Sequence, residues 1–290
     1  MTHEDGRAPE RLQIRREQIK VLSSDSQNEV AIDVDRYTNL FKKRDPTRAC
    51  IVVGGIASQI GEHPLPVIAG VAADTFGQSF VIAEPSHSAD SDWQNVQGHR
   101  NALRQTIRQL SKSNAVEKLS VIGYSLGGAK AITALGLEDD AISDLEIESI
   151  LCLSAPQTEN LLDLTYFRDR TVETDDALVL GRRQRRVQKN YLSGGEREEV
   201  DTAILNLQAR GIPITSVIID GDQVVPDALT GEGIETRVCI LETDGLRPPD
   251  VHLWKGAENT RILEGEIKTF LENGNNTQPP NERQIFDIFP

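Results

Sequence analysis

Six short apolar runs follow one another after Pro46: CIVVGG, SFVIAE, LSVIGY, SILCLS, TSVIID and TRVCILE. None alternates with polar residues, as a strand with one wet face does, so each reads as a strand covered on both faces. Between them lie segments with helical spacing. Val96, Leu103, Ile107 and Leu110 share one face; so do Val200, Ala203, Ile204 and Leu207 ahead of Gly211 and Pro213, and Leu263, Ile267 and Phe270 ahead of Gly274. Strands and helices in this order fit right-handed crossovers in a parallel sheet. The expectation is an α/β fold, doubly wound, around a mostly parallel sheet.

Two alternating segments, REQIKVL and NEVAIDV, precede these runs and flank the polar turn SSDSQ, which predicts a hairpin at one edge of the sheet. Residues 1–12 read as a loose polar lead-in. The interval between Pro156 and Val200 is far longer than a loop of an α/β unit, usually about two to six residues. It reads as an insertion, residues 157–199, in a core formed by 1–156 and 200–274, with a tail at 275–290. The insertion carries a basic cluster, Arg182, Arg183, Arg185, Arg186 and Lys189, behind the acidic VETDDA. That cluster is either a solvated face or a rim that attracts anionic substrates.

Charge and cysteine usage narrow the partners. A formal net charge of −14 disfavours nucleic acid and anionic membrane surfaces. No apolar stretch has the length of a membrane span, and the charged start MTHEDGRAPERLQ does not resemble a secretory signal, so a cytoplasmic location is expected. Cys50, Cys152 and Cys239 lie far apart, each in or beside a strand-like run, and read as buried structural thiols. No metal is expected, because neither the histidines nor the cysteines fall at ligand spacing.

Gly123, Ser125 and Gly127 form the pattern G-x-S-x-G at the junction between the run LSVIGY and a helix opening LGGAKAITALGL. A serine at such a junction sits in a tight, strained turn that turns its hydroxyl out of the sheet, while glycines on either side let strand and helix close up. The other reading makes Ser125 only a helix N-cap. A nucleophilic serine needs a base, held in one tautomer by an acid. Of five histidines, His3 lies in the lead-in, His63 and His87 in loops before the serine, and His99 in a helix. His252 follows the last run through the loop TDGLRPPDV and precedes the final helix, which suits the base. Asp222, just past TSVIID, suits the acid, with Asp220 and then Asp227 as rivals. The N–H of Leu126 is one donor for an oxyanion, and the stretch after CIVVGG supplies the second, with Ile56 the best candidate beside Gly54 and Gly55.

Taken together, Gly123-Tyr124-Ser125-Leu126-Gly127, the DQVVP stretch after a late strand and His252 before the last helix resemble the α/β-hydrolase superfamily over roughly residues 18–273. The resemblance implies about eight strands, no metal or organic cofactor, and a cap inserted after the sixth strand, where 157–199 falls. Many relatives carry His-Gly where this chain has Gly54-Gly55. The expected activity is hydrolysis of a small carboxylic ester or thioester through an acyl-enzyme on Ser125. Peptidase or amidase, acyltransferase and C–C hydrolase chemistry share the same groups, and a non-catalytic binding or scaffold protein is the reading from another class. A nucleotide site is a poorer fit, since GGAK lacks phosphate-loop spacing.

Overall fold

The computed structural model describes residues 11–22, 29–43, 45–55, 61, 63–82, 96–137, 145–159, 196–225 and 227–273. The strands are β1 (Leu12–Leu22), β2 (Glu29–Asn39), β3 (Arg48–Val53), β4 (Gln78–Ile82), β5 (Lys118–Tyr124), β6 (Glu146–Leu153), β7 (Ile214–Ile219) and β8 (Ile234–Cys239). The helices are α1 (Leu65–Phe76), α2 (Val96–Asn114), α3 (Leu126–Gly136), α4 (Arg197–Ala209), α5 (Pro248–His252) and α6 (Ala257–Asn273). All eight strands form one sheet in the order β1-β2-β4-β3-β5-β6-β7-β8. The pairings β1–β2 and β2–β4 are antiparallel, and every other pairing is parallel.

Five of the six apolar runs occupy the inner strands β3 to β7, where both faces of the sheet are dry; the sixth, TRVCILE, falls on the edge strand β8, where Val238 is exposed, so it is not covered on both faces as expected. In β3, Ala49, Ile51 and Val53 enter one core cluster, whereas Cys50 and Val52 enter the other. In β5 the same division separates Leu119 and Val121 from Ile122 and Tyr124. Helices α2, α3 and α4 cover the first face, through Leu103, Ile107, Ile132 and the Val200, Ala203, Ile204, Leu207 stripe. Helices α1 and α6 cover the second, through Leu65, Ile68, Leu263, Ile267 and Phe270. Each helical stripe read from the sequence is buried in the structure.

The edges depart from the sequence reading in instructive ways. The hairpin strands are longer than their alternating segments, and β1 already starts at Leu12, which pairs with Asn39, so the lead-in ends a residue earlier than expected. At the other edge β8 covers Ile234–Cys239, not the whole of TRVCILE: its register runs from Ile214–Ile234 to Ile219–Cys239 and stops where β7 stops. Ile240, 78% exposed, lies beyond it. The stretch expected as a loop before His252 contains a helical turn, α5, whose first residues are Pro248 and Pro249. Proline is tolerated there, because first-turn N–H groups have no intrahelical acceptor. Of the interval expected as an insertion, residues 160–195 with the basic cluster lie outside the described residues, as does the tail 275–290.

Candidate active site

Strand β5 ends at Tyr124 and α3 begins at Leu126, so the whole turn between them is one residue, Ser125. It takes φ 53° and ψ −134°, a conformation that costs a residue with a side chain about 1–3 kcal/mol. Neighbouring backbone holds it there: its N–H donates to Leu153 O at 2.8 Å, and its own carbonyl accepts from Gly128 N–H at 2.9 Å. The turn also depends on missing side chains. A Cβ on Gly127 would stand 2.3 Å from Val53 O, and one on Gly55 would stand 2.8 Å from Ser125 Cβ. The Ser125 hydroxyl makes no capping bond to α3.

Its partner is instead an imidazole. Ser125 Oγ lies 3.0 Å from His252 Nε2, and His252 Nδ1 lies 2.7 Å from Asp222 Oδ2. The second contact fixes the tautomer. A carboxylate only accepts, so Nδ1 carries the proton, and Nε2 is left with a lone pair to receive the Ser125 hydroxyl proton. His252 is the last residue of α5 and is buried. Asp222 follows β7 by three residues, its N–H donating to Ile219 O at 3.2 Å. Its other oxygen, Oδ1, accepts from the N–H groups of Val224 and Val225 at 2.8 and 3.2 Å. Burial pushes the Asp222 carboxyl upward, but the charge and hydrogen bond of His252 and the two N–H donors outweigh it and hold the group below its ordinary value.

The rival acids are placed differently. Asp220 and Asp227 are both exposed; the first uses its N–H on Cys239 O, and the second its carbonyl on Gln157 N–H. Leu126, as the first residue of α3, has an N–H with no intrahelical acceptor. Ile56 lies outside the described residues, as do His3 and His87, but the adjacent Gly55 runs so close to the serine that a Cβ on it would stand 3.3 Å from Ser125 Oγ. His99 is buried on α2. Tyr124 and His63, to which the sequence reading assigned no role, also belong here. Tyr124 donates its hydroxyl to His252 O at 3.2 Å, and His63 Nε2 lies 3.0 Å from Trp254 O.

Among the described residues no group of three or more His, Cys, Asp or Glu side chains could hold a metal ion, and no helix is long and apolar enough to cross a membrane. The three cysteines are free and buried. Burial pushes the thiols of Cys152 and Cys239 up to about 12, and that of Cys50 upward as well.

Comparison with solved structures gives extensive matches. An esterase of Pyrococcus furiosus superposes with a TM-score of 0.60 at 14% identity, over 90% of this chain and 91% of that one. A thermostable esterase of Pseudomonas putida gives 0.57 at 13% identity, over 93% and 85%. The peroxisomal alpha-beta-hydrolase Lpx1 of Saccharomyces cerevisiae gives 0.55 at 12% identity, over 94% and 92%. The chain has the α/β-hydrolase fold. At these identities the likeness is one of fold. No protein-family model matches the sequence, and no curated protein matches it either. Within the α/β-hydrolase fold, Ser125, Asp222 and His252 all stand at the carboxyl ends of strands, where open parallel sheets offer their crevice.

Proposed function

We propose that the chain is a serine hydrolase that cleaves a small-molecule carboxylic ester or thioester. One observation carries the reading: the unbroken hydrogen-bond chain from Ser125 Oγ through the two nitrogens of His252 to a buried Asp222. As Oγ attacks the carbonyl carbon, its proton passes to Nε2 and the carbonyl π-pair moves onto oxygen. Asp222 stabilises the imidazolium so formed. The oxyanion is held by the N–H of Leu126 and by one from the stretch after β3, Ile56 in this reading; removing one such donor typically costs about 2.7–4 kcal/mol. The imidazolium returns its proton to the leaving alcohol or thiol, leaving an acyl group on Oγ. Water, deprotonated by Nε2, then releases the acid and restores Ser125.

The solved structures that share the fold include esterases, which favours ester over peptide, acyltransfer or carbon–carbon chemistry on the same groups. Strain argues against a mere scaffold, because a positive-φ serine with an uncapped hydroxyl facing an imidazole is costly to keep without use. Residues 157–199 are, in this reading, a cap that selects the acyl or alcohol group. Three unpaired thiols suit a reducing compartment, the cytoplasm. No cofactor is called for, and the acidic surface disfavours nucleic acid. The test is a fluorophosphonate probe together with short p-nitrophenyl esters. The expected result is labelling at Ser125 and ester turnover, both lost in a folded Ser125→Ala variant; folded wild-type protein that neither labels nor turns over overturns the reading.

A further inference from the structure

We infer that Tyr124 and His63 are positioning residues that clamp the His252 segment from two sides, through its backbone carbonyls. This rests on the reading of His252 as the base. A helix leaves its last carbonyls without intrahelical donors, and α5, at five residues, is too short to stiffen itself. Here Tyr124 supplies a donor to the last carbonyl of α5, and His63 supplies one to a carbonyl two residues beyond the helix, each from a remote part of the chain. The Tyr124 hydroxyl reaches His252 O at 3.2 Å across 128 residues of sequence, and His63 Nε2 reaches Trp254 O at 3.0 Å across 191. A carbonyl only accepts, so the His63 proton sits on Nε2. Thr260 Oγ1 adds a weaker contact to Trp254 O at 3.4 Å.

The origin of each donor gives the contacts their meaning. Tyr124 immediately precedes Ser125 on β5, so nucleophile and base are referred to the same strand end. Its ring also lies 5.5 Å from the imidazole, centre to centre. The phenol is fully buried, and burial with the nearby Asp222 charge drives its pKa upward, so it remains a protonated donor. His63 comes from the connection between β3 and α1, the connection that also contains Gly54, Gly55 and Ile56. Its bond ties the segment that carries the base to the connection that follows β3. Trp254, between them, takes φ 58° and buries its indole completely, so the segment cannot relax by rotating outward without exposing it. Reacting groups lose about a hundredfold in rate for a misplacement of roughly 1 Å, which is the scale of movement these bonds oppose.

The test uses the full chain with Tyr124→Phe, His63→Leu and His63→Gln. Phenylalanine keeps the ring and removes only the donor; glutamine can still present an N–H near the position of Nε2. Expected for Tyr124→Phe and His63→Leu is a fall in kcat of about ten- to hundredfold with KM within about twofold, and for His63→Gln recovery of most of the loss. A second readout needs no turnover: the low-field proton resonance of His252 Nδ1, bonded to Asp222, should broaden and exchange faster in Tyr124→Phe and His63→Leu than in wild type. Wild-type kcat and an unchanged resonance in both variants overturn the clamp while leaving the serine chemistry standing. If wild type neither labels nor turns over, the hydrolase reading falls, and the resonance alone then decides whether the clamp holds the imidazole.

Discussion

The two oxygens of the Asp222 carboxylate face different ways, one toward the turn that holds it and one toward His252. Orientation and charge therefore depend on a single side chain, and an amide there is not a mild change. Asp222→Asn can offer an N–H toward Nδ1, which reverses the tautomer and leaves Nε2 protonated and unable to accept from Ser125. A fall in kcat of about 10⁴ is expected, with KM little changed, measured as steady-state ester hydrolysis. Asp220→Asn and Asp227→Asn should stay near wild type, since both carboxylates are exposed. From sequence these three acids could be ranked only by distance from a strand end. Burial and backbone donors separate them, and those depend on how the chain turns after β7.

Among the elements, α2, α3, α4 and the stretch that follows β6 meet at a buried ion pair. Arg100 on α2 donates to Glu159 Oε1 at 3.2 Å and to the carboxylate of Glu199 on α4 at 3.0 Å, while Thr133 of α3 also donates to Glu159. Arg100 is 3% exposed and Glu159 not at all. Glu159 follows β6 by six residues and Glu199 lies in the first turn of α4, so the pair fastens the stretch after β6 and the start of α4 to α2. Arg100→Met strands a buried carboxylate and should cost about 3–5 kcal/mol, read from the urea midpoint; adding Glu159→Leu should return much of that loss. None of this was legible in the sequence, where Arg100 reads as a polar position on an amphipathic helix. The central strands were legible because two-sided burial writes itself as continuous apolar runs. β8 was blurred because an edge strand keeps one flank wet, and α5 because five residues carry no periodicity. The order serine, acid, histidine was readable along the chain, whereas Tyr124 and His63 act across separations that no local pattern records.

Over the whole molecule, acid pulls the carboxylates in different directions. The carboxyl of Asp250, hydrogen-bonded to Lys255 and Arg247, is lowered to about 2, and that of Asp222 is lowered too. Folding lowers these groups below the ordinary carboxylate value of about 3.9, so the unfolded chain binds more protons. Their contribution is complete above that value and drains away as the pH falls toward 2. Glu159 opposes them: burial raises it, so its proton is bound more tightly in the folded chain and its contribution improves as the pH falls. Urea midpoints at pH 5, 4 and 3 should therefore decline, and Asp250→Asn should flatten the last part of that decline by a small amount, because solvent screens the exposed partners Arg247 and Lys255.

The imidazole that faces Ser125 lies 127 positions further along the chain, and Asp222 lies 30 positions short of that imidazole. A ribosome-bound or half-collapsed polypeptide can already contain the strained serine turn while its base has yet to be synthesised or docked. In the proposed reading the nucleophile gains its base only when the segment around His252 arrives, so a shorter copy carries the serine without the group that activates it.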